Sequence, residues 1–144
     1  MEYPEQNFTP YLLFVGELCG RAEEAITFYM SLFKDSRLLN IERYEEEEMA
    51  GEKAGTVKLA RFSLKGQEFL AQDSGQGHHF TFTPAMSLFV RCETEAEMDT
   101  LYQKLSEGGG VLMPADQYLP GERFGWVVDK YGVSWQLHML IPTP

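Results

Sequence analysis

The chain has 144 residues, 44% of them hydrophobic, and 12 Lys and Arg against 22 Asp and Glu give a formal net charge of −10. This is the length of one ordinary domain, and the charge argues against nucleic acid as a partner, because phosphate binding needs a cationic surface. The polar, acidic N-terminus is unlike a signal peptide, and no apolar run approaches the ~20 residues that span a bilayer, so no membrane partner is expected. The two cysteines are too few for a disulfide framework, and we expect a reducing, cytoplasmic setting.

The first half of the chain has the pattern of a strand, a helix and three further strands. Leu13-Phe14-Val15 predicts a strand, and apolar residues at three- and four-residue steps predict a helix over 21–33. Strand-like segments follow at 37–44, 56–64 and 67–73.

The second half repeats this order after a linker at 74–84 that is rich in Gly, Ser, Thr and His. Leu88-Phe89-Val90 predicts a strand, and 94–105 predicts a helix that ends before the glycine triplet 108–110. Three more strands are predicted, at 111–118, 124–129 and 133–139. The repeat predicts one α+β domain over residues 1–144, built from two similar modules at about 8–73 and 84–140.

Four segments of the chain resemble a known family: Thr9–Phe14, Ala22–Tyr29, Gly66–Ser74 and Asp129–Leu137. Together they are similar to the PhnB-like branch of the vicinal oxygen chelate superfamily, which also holds glyoxalase I, bleomycin-resistance proteins and extradiol dioxygenases. The resemblance covers nearly the whole chain, and the closing segment and the stretch at 79–82 are its more specific parts. It implies two βαβββ modules that form an open barrel-like mixed sheet around a cleft, in a homodimer.

Members of this branch are sometimes labelled 3-demethylubiquinone methyltransferases. Binding of S-adenosylmethionine usually takes a Gly-rich turn between a first strand and its helix. The connection at 15–21 carries only the isolated Gly16 and Gly20, and the glycine triplet follows a helix instead. The sequence therefore does not favour this activity, and we expect no cofactor.

Metal-dependent members of the superfamily hold their ion with four ligands from the sheets. In this chain the resemblance places those positions on Pro10, near Ala85, on Gln136, and on Leu70 or Gln72. Proline and alanine cannot ligate through a side chain, and an amide oxygen is a weak donor for a divalent transition metal. We therefore expect no metal site.

Alternation along the last strand predicts a ligand-binding face. Strand parity separates Trp135 and its apolar neighbours from Gln136 and His138, and we expect the polar set to line the cleft. The first strand is expected to contribute Phe14 to this face. An apolar cleft with a few polar groups suits a small, partly apolar organic ligand. The predicted ligand-binding residues are Phe14, Gln72, Ser87, Phe89, Gln136 and His138.

The leading hypothesis is a small-molecule-binding protein of this fold without the usual metal, with an unknown reaction, since no strong general base stands out in the sequence. One alternative is a metal-dependent lyase, isomerase or dioxygenase of the same superfamily. Another is a non-catalytic resistance protein that sequesters a drug, for which the negative charge would attract cationic compounds. Whether Phe14 and Phe89 leave the cleft open or fill it is left undecided by the sequence.

Overall fold

A computed structural model of the chain describes residues 3–46 and 51–142. The secondary structure follows the predicted order in both halves, and the α+β class with its repeated βαβββ module is confirmed. The elements in chain order are β1 Tyr11–Val15, α1 Ala22–Leu32, β2 Arg37–Arg43, β3 Val57–Leu64, β4 Gln67–Ser74, β5 Ser87–Arg91, α2 Glu95–Ser106, β6 Gly110–Asp116, β7 Glu122–Val128 and β8 Ser134–Leu140.

The chain divides into two compact units, Met1–Thr81 and Phe82–Pro144, and the boundary falls within the linker predicted at 74–84. Among the described residues, each unit contains one α-helix and one four-stranded mixed sheet. The strand orders are β1-β4-β3-β2 and β5-β8-β7-β6. In both sheets the first pair is parallel and the other pairs are antiparallel, so the two units share one topology.

In the first unit, a buried carboxylate ties the start of α1 to the sheet. Asp73 has no exposed surface, and its Oδ1 accepts hydrogen bonds from the amides of Gly20 at 2.7 Å and Ala22 at 3.1 Å. Its Oδ2 accepts a third from the amide of Val57 at 2.9 Å. Burial raises the pKa of Asp73 above its ordinary value, while these amide donors oppose the shift. Asp73 thus satisfies donors that the start of a helix leaves without partners, while Arg21, the N-cap residue, makes no capping side-chain bond.

In the second unit, Asp129 fixes the orientation of the last strand. Its Oδ1 accepts hydrogen bonds from the amides of Tyr131 and Val133 at 2.9 and 3.0 Å, and its Oδ2 accepts one from Trp135 Nε1 at 2.8 Å. The indole ring of Trp135 is 1% exposed. Since side chains alternate along a strand, Ser134, Gln136 and His138 lie on the opposite face of β8.

Helix α2 packs against the face of the second sheet that holds Trp135. The Nη1 atom of Arg123 lies 2.7 Å from Oδ1 of Asp99 on the helix, and a Cβ atom at Gly125 would lie 3.3 Å from the ring of Tyr102. Leu137 and Met139 are buried on the same side. This packing leaves the even-numbered residues of β7 and β8 on the face away from the helix.

The glycine triplet after α2 includes one position where the backbone approaches another segment too closely for a side chain. A Cβ atom at Gly109 would overlap the carbonyl oxygen of Val128 and lie 2.7 Å from the carbonyl carbon of Asp129, whereas a Cβ atom at Gly110 would meet nothing within 4 Å. The triplet therefore allows close packing against the end of β7, in addition to ending the helix.

We predict that Gly109→Ala lowers the free energy of unfolding by about 1–3 kcal/mol, because the added methyl group must displace backbone atoms. The neighbouring Gly110→Ala variant is the control, and its stability should stay within about 1 kcal/mol of the parent, with alanine slightly favoured in a strand. Urea denaturation followed by tryptophan fluorescence measures both. Equal effects of the two substitutions would contradict the packing described at Gly109.

Candidate functional site

The second sheet brings four of the predicted site residues together on the side opposite α2. The parallel pairing of β5 with β8 aligns Ser87 with Ser134, Phe89 with Gln136, and Arg91 with His138. We call this side the Gln136 face; its members on β5, β7 and β8 are Ser87, Phe89, Arg91, Glu122, Phe124, Trp126, Ser134, Gln136 and His138.

A chain of hydrogen bonds runs across the Gln136 face. Trp126 Nε1 donates to Ser134 Oγ at 2.7 Å, and Ser134 Oγ lies 2.6 Å from Ser87 Oγ. Gln136 Nε2 donates to Ser87 Oγ at 3.3 Å. Ser134 is 1% exposed, so its hydroxyl forms the buried centre of this chain of hydrogen bonds. The bonds orient the Gln136 amide relative to the surrounding strands.

A pocket of about 240 Å³ lies on the same face. Its lining residues are Tyr118, Leu119, Glu122, Phe124 and His138. The rings of Tyr118 and Phe124 meet edge to face with centroids 6.2 Å apart, and the Tyr118 hydroxyl donates to the carbonyl oxygen of Pro114 at 2.7 Å. The pocket therefore has aromatic walls, one of which is held in place by a backbone contact.

The pocket surface is almost wholly apolar, and two of its lining residues, Glu122 and His138, carry ionisable side chains. His138 Nε2 lies 3.3 Å from Glu122 Oε1. On its other side, the His138 ring lies 5.5 Å from the ring of Phe89, which is 60% exposed. His138 therefore connects the pocket to an exposed aromatic surface on β5.

Sequence reasoning identified His138 but missed the other lining residues of the pocket. Glu122 and Phe124 lie on β7, and Phe124 is the antiparallel partner of His138. Tyr118 and Leu119 come from the connection between β6 and β7. Alternation along β7 could have separated its two faces, but the register that sets Phe124 beside His138 depends on the pairing of the strands.

In the first unit, Gln72 lies between two tyrosines. Its Oε1 accepts a hydrogen bond from the Tyr11 hydroxyl at 2.6 Å, and its Nε2 donates to the Tyr44 hydroxyl at 3.1 Å. Tyr44 in turn donates to the carbonyl oxygen of Asp73 at 2.8 Å. Burial raises the pKa of both tyrosines above the usual value, so these hydroxyls stay protonated in neutral solution. The two tyrosines were not predicted as site residues.

The structure does not bring Phe14 together with Gln72. Phe14 is the parallel partner of Asp73, whose carboxylate binds the start of α1, and it has no exposed surface. Gln72 pairs with Leu13 and therefore lies on the other face of the sheet. This corrects the predicted face of β1. The sequence was ambiguous here because apolar residues occupy both faces of this strand, and the structure places the large aromatic ring in the core of its unit.

The positions that the resemblance assigned to metal ligands carry weak donors or none. Pro10 and Ala85 have no ligating side chain, and the amides of Gln72 and Gln136 are held by hydrogen bonds to hydroxyl groups. Within residues 3–46 and 51–142, no cluster of three or more His, Cys, Asp and Glu side chains could hold a metal ion.

The connection between β1 and α1 likewise does not fit a glycine-rich cofactor cradle. Gly16 begins a short 3₁₀ turn, Gly16–Leu18, and the amides of Gly20 and Ala22 are bound by the Asp73 carboxylate. These amides point at an internal side chain, so they are not available to a ligand at this end of the helix.

Solved structures show which class of protein has this fold. A glyoxylase/bleomycin resistance protein/dioxygenase domain from Frankia is 15% identical, with a TM-score of 0.60, and the match covers 98% of this chain and 96% of that one. A protein from Pseudomonas aeruginosa is 22% identical with a TM-score of 0.80, covering 96% and 100% of the two chains. At such identities the likeness shows the fold alone, and the fold is that of the glyoxalase/bleomycin-resistance/dioxygenase proteins.

The family is shown by stronger matches. A PhnB protein from Bacillus cereus is 51% identical over 93% of this chain and 99% of that chain, with a TM-score of 0.85. A family model described as 3-demethylubiquinone-9 3-methyltransferase matches residues 6–138, and the chain belongs to that family, the PhnB-like branch of the vicinal oxygen chelate superfamily. The resemblance seen in the sequence is thereby confirmed. A comparison with curated proteins gives no match. In the described part of the chain, no helix is both long and apolar enough to cross a membrane.

We predict that Ser134→Ala lowers the free energy of unfolding by about 1–3 kcal/mol, because it leaves the Trp126 indole N–H and the Ser87 hydroxyl short of a partner in a partly buried site. Ser87→Ala is the matched control and should cost less, since Ser134 keeps its bond with Trp126. Denaturant unfolding of both variants measures the difference. A larger loss of unfolding free energy for Ser87→Ala would show that Ser134 is not the centre of this set of hydrogen bonds.

Proposed function

We propose that the protein binds a small, partly apolar organic molecule on the Gln136 face, without a metal ion. The observation that carries the proposal is the pocket of about 240 Å³ with aromatic walls, whose lining residues include the ionisable Glu122 and His138. A cavity of roughly 150 Å³ holds one benzene molecule. This pocket therefore has room for one aromatic ring with a short substituent.

The surroundings of the pocket support binding of a ligand that is apolar in part. The exposed ring of Phe89 lies beside His138 and extends the apolar surface, while Ser87 and Gln136 supply hydrogen-bonding groups nearby. Ligand sites commonly combine apolar walls with a few fixed polar groups in this way.

The metal-free part of the proposal rests on the donor set. Ala85 has no ligating side chain, and the amides of Gln72 and Gln136 are weak donors that already bind hydroxyl groups. We expect elemental analysis of the chain, purified without chelator, to find no zinc, nickel or iron in stoichiometric amount. Native mass spectrometry showing one such ion per chain, retained after dialysis, would contradict this part and favour a metal-dependent enzyme.

The pocket itself can be tested with three probes of similar shape: 2-phenylethylamine, 2-phenylethanol and 3-phenylpropanoate. We expect at least one to bind saturably in calorimetric or NMR titrations, and Leu119→Ala to weaken that binding about fivefold by removing part of the wall. Leu119 is 62% exposed in a connection between strands, so its truncation should leave folding intact.

Phe8→Ala, which removes an 89%-exposed ring outside the pocket, is the control and should leave binding unchanged. If none of the three probes binds saturably, or if Phe8→Ala weakens binding as much as Leu119→Ala does, the proposed site is refuted.

We also propose that the chain forms a homodimer. The strands β2 and β6 each end a sheet in their unit, and a strand edge presents unpaired backbone groups that favour association. On β6, Val111 and Leu112 are 45% and 46% exposed, which adds apolar surface to that edge. Sedimentation equilibrium at micromolar concentration should give twice the chain mass of 16.5 kDa, and a monomer mass would refute the dimer.

A further inference from the structure

We infer that the pocket on the Gln136 face selects ligands carrying an organic ammonium group on a small apolar or aromatic body. The inference rests on the proposed binding function and adds the charge of the ligand. It follows from the acid Glu122 among the lining residues, the acid that neighbours it in the sheet, and the two aromatic rings of the pocket walls.

A row of paired residues crosses the four strands beside the pocket, with a charged residue at each end. Arg91 pairs with His138, His138 with Phe124, and Phe124 with Asp116. The acid Asp116 is thus adjacent to Phe124, whereas Arg91 is separated from Phe124 by β8. Glu122 is one of the residues that line the pocket, and Asp116 is paired with the lining residue Phe124. The acids are therefore closer to Phe124 than Arg91 is.

Glu122 retains the capacity to bind a ligand cation. Its contact with His138 Nε2 is 3.3 Å, at the long end for a hydrogen bond, and its side chain is 35% exposed. A carboxylate has about four acceptor sites, so one imidazole contact leaves room for an ammonium group. A ligand carboxylate at the same place would face like charge and would be disfavoured.

The aromatic walls favour the same ligand charge. The faces of tyrosine and phenylalanine rings attract cations, and Tyr118 and Phe124 both line the pocket. The net charge of −10 also raises the local concentration of cations near the protein. A neutral isostere would keep the apolar contacts of the ring and lose these electrostatic contributions.

The test compares the three probes on the parent chain and on Glu122→Gln at low ionic strength, with dissociation constants from calorimetry or NMR. On the parent we expect 2-phenylethylamine to bind at least about fivefold more tightly than 2-phenylethanol, and 3-phenylpropanoate to bind most weakly. Glu122→Gln keeps the size of the side chain and removes its charge. It should weaken 2-phenylethylamine about fivefold and leave 2-phenylethanol within twofold.

Glu107→Gln is the matched control, since it makes the same charge change at an exposed residue outside the pocket lining. It should leave the affinity of 2-phenylethylamine unchanged; an equal loss in both variants would show that net charge alone attracts the amine, and would overturn the inference. Equal binding of 2-phenylethanol and 2-phenylethylamine to the parent would also overturn it, while leaving the proposed binding function intact. Failure of all three probes would instead refute both.

Discussion

The hydrogen bond from the Trp135 indole to the buried Asp129 carboxylate determines how the last strand presents its side chains. Asp129 also accepts two backbone amides, so the carboxylate holds the turn before β8 and the first large ring of that strand together. With Trp135 fixed on the side of α2, alternation places Gln136 and His138 on the other face. The hydroxyl chain, the pocket and the proposed ligand contacts all depend on this one orientation, because each involves a side chain of β8 or its direct partner.

A buried carboxylate has a related role in the first unit, with a different consequence. Asp73 binds the amides at the start of α1 and the amide of Val57, and so joins the helix to two strands. The Asp73 side chain therefore binds the amides that a nucleotide-type cofactor would use in the connection between β1 and α1. Gln72, which directly precedes Asp73 in β4, lies on the opposite face of the sheet and is hydrogen-bonded to two tyrosine hydroxyls.

The positions that the resemblance assigns to metal ligands carry amides and residues without ligating groups, and those amides take part in hydrogen bonds between side chains. Gln136 donates to Ser87, and Gln72 is bound to Tyr11 and Tyr44. Such networks orient neutral polar groups that can recognise hydrogen-bonding atoms of an organic ligand. The ionisable groups lie instead toward one end of the Gln136 face, where Glu122 and His138 line a pocket with aromatic walls.

The sequence by itself determined the elements, their repeated order and the family, because local periodicity, turn residues and extended motif matches are all properties of the linear chain. It also placed Ser87, Phe89, Gln136 and His138 correctly on one face, since β8 alternates clearly between large apolar and polar residues. The sequence predicted the wrong face for Phe14. Strand β1 has apolar residues on both faces, and the alternation of side chains alone does not show which face packs against a helix. Only the tertiary structure revealed the pocket, since the register of β7 against β8 sets Phe124 beside His138, and the connection after β6 brings in Tyr118 and Leu119. Strand register and loop placement depend on contacts between residues distant in sequence, and a single sequence does not encode those distances in any local pattern.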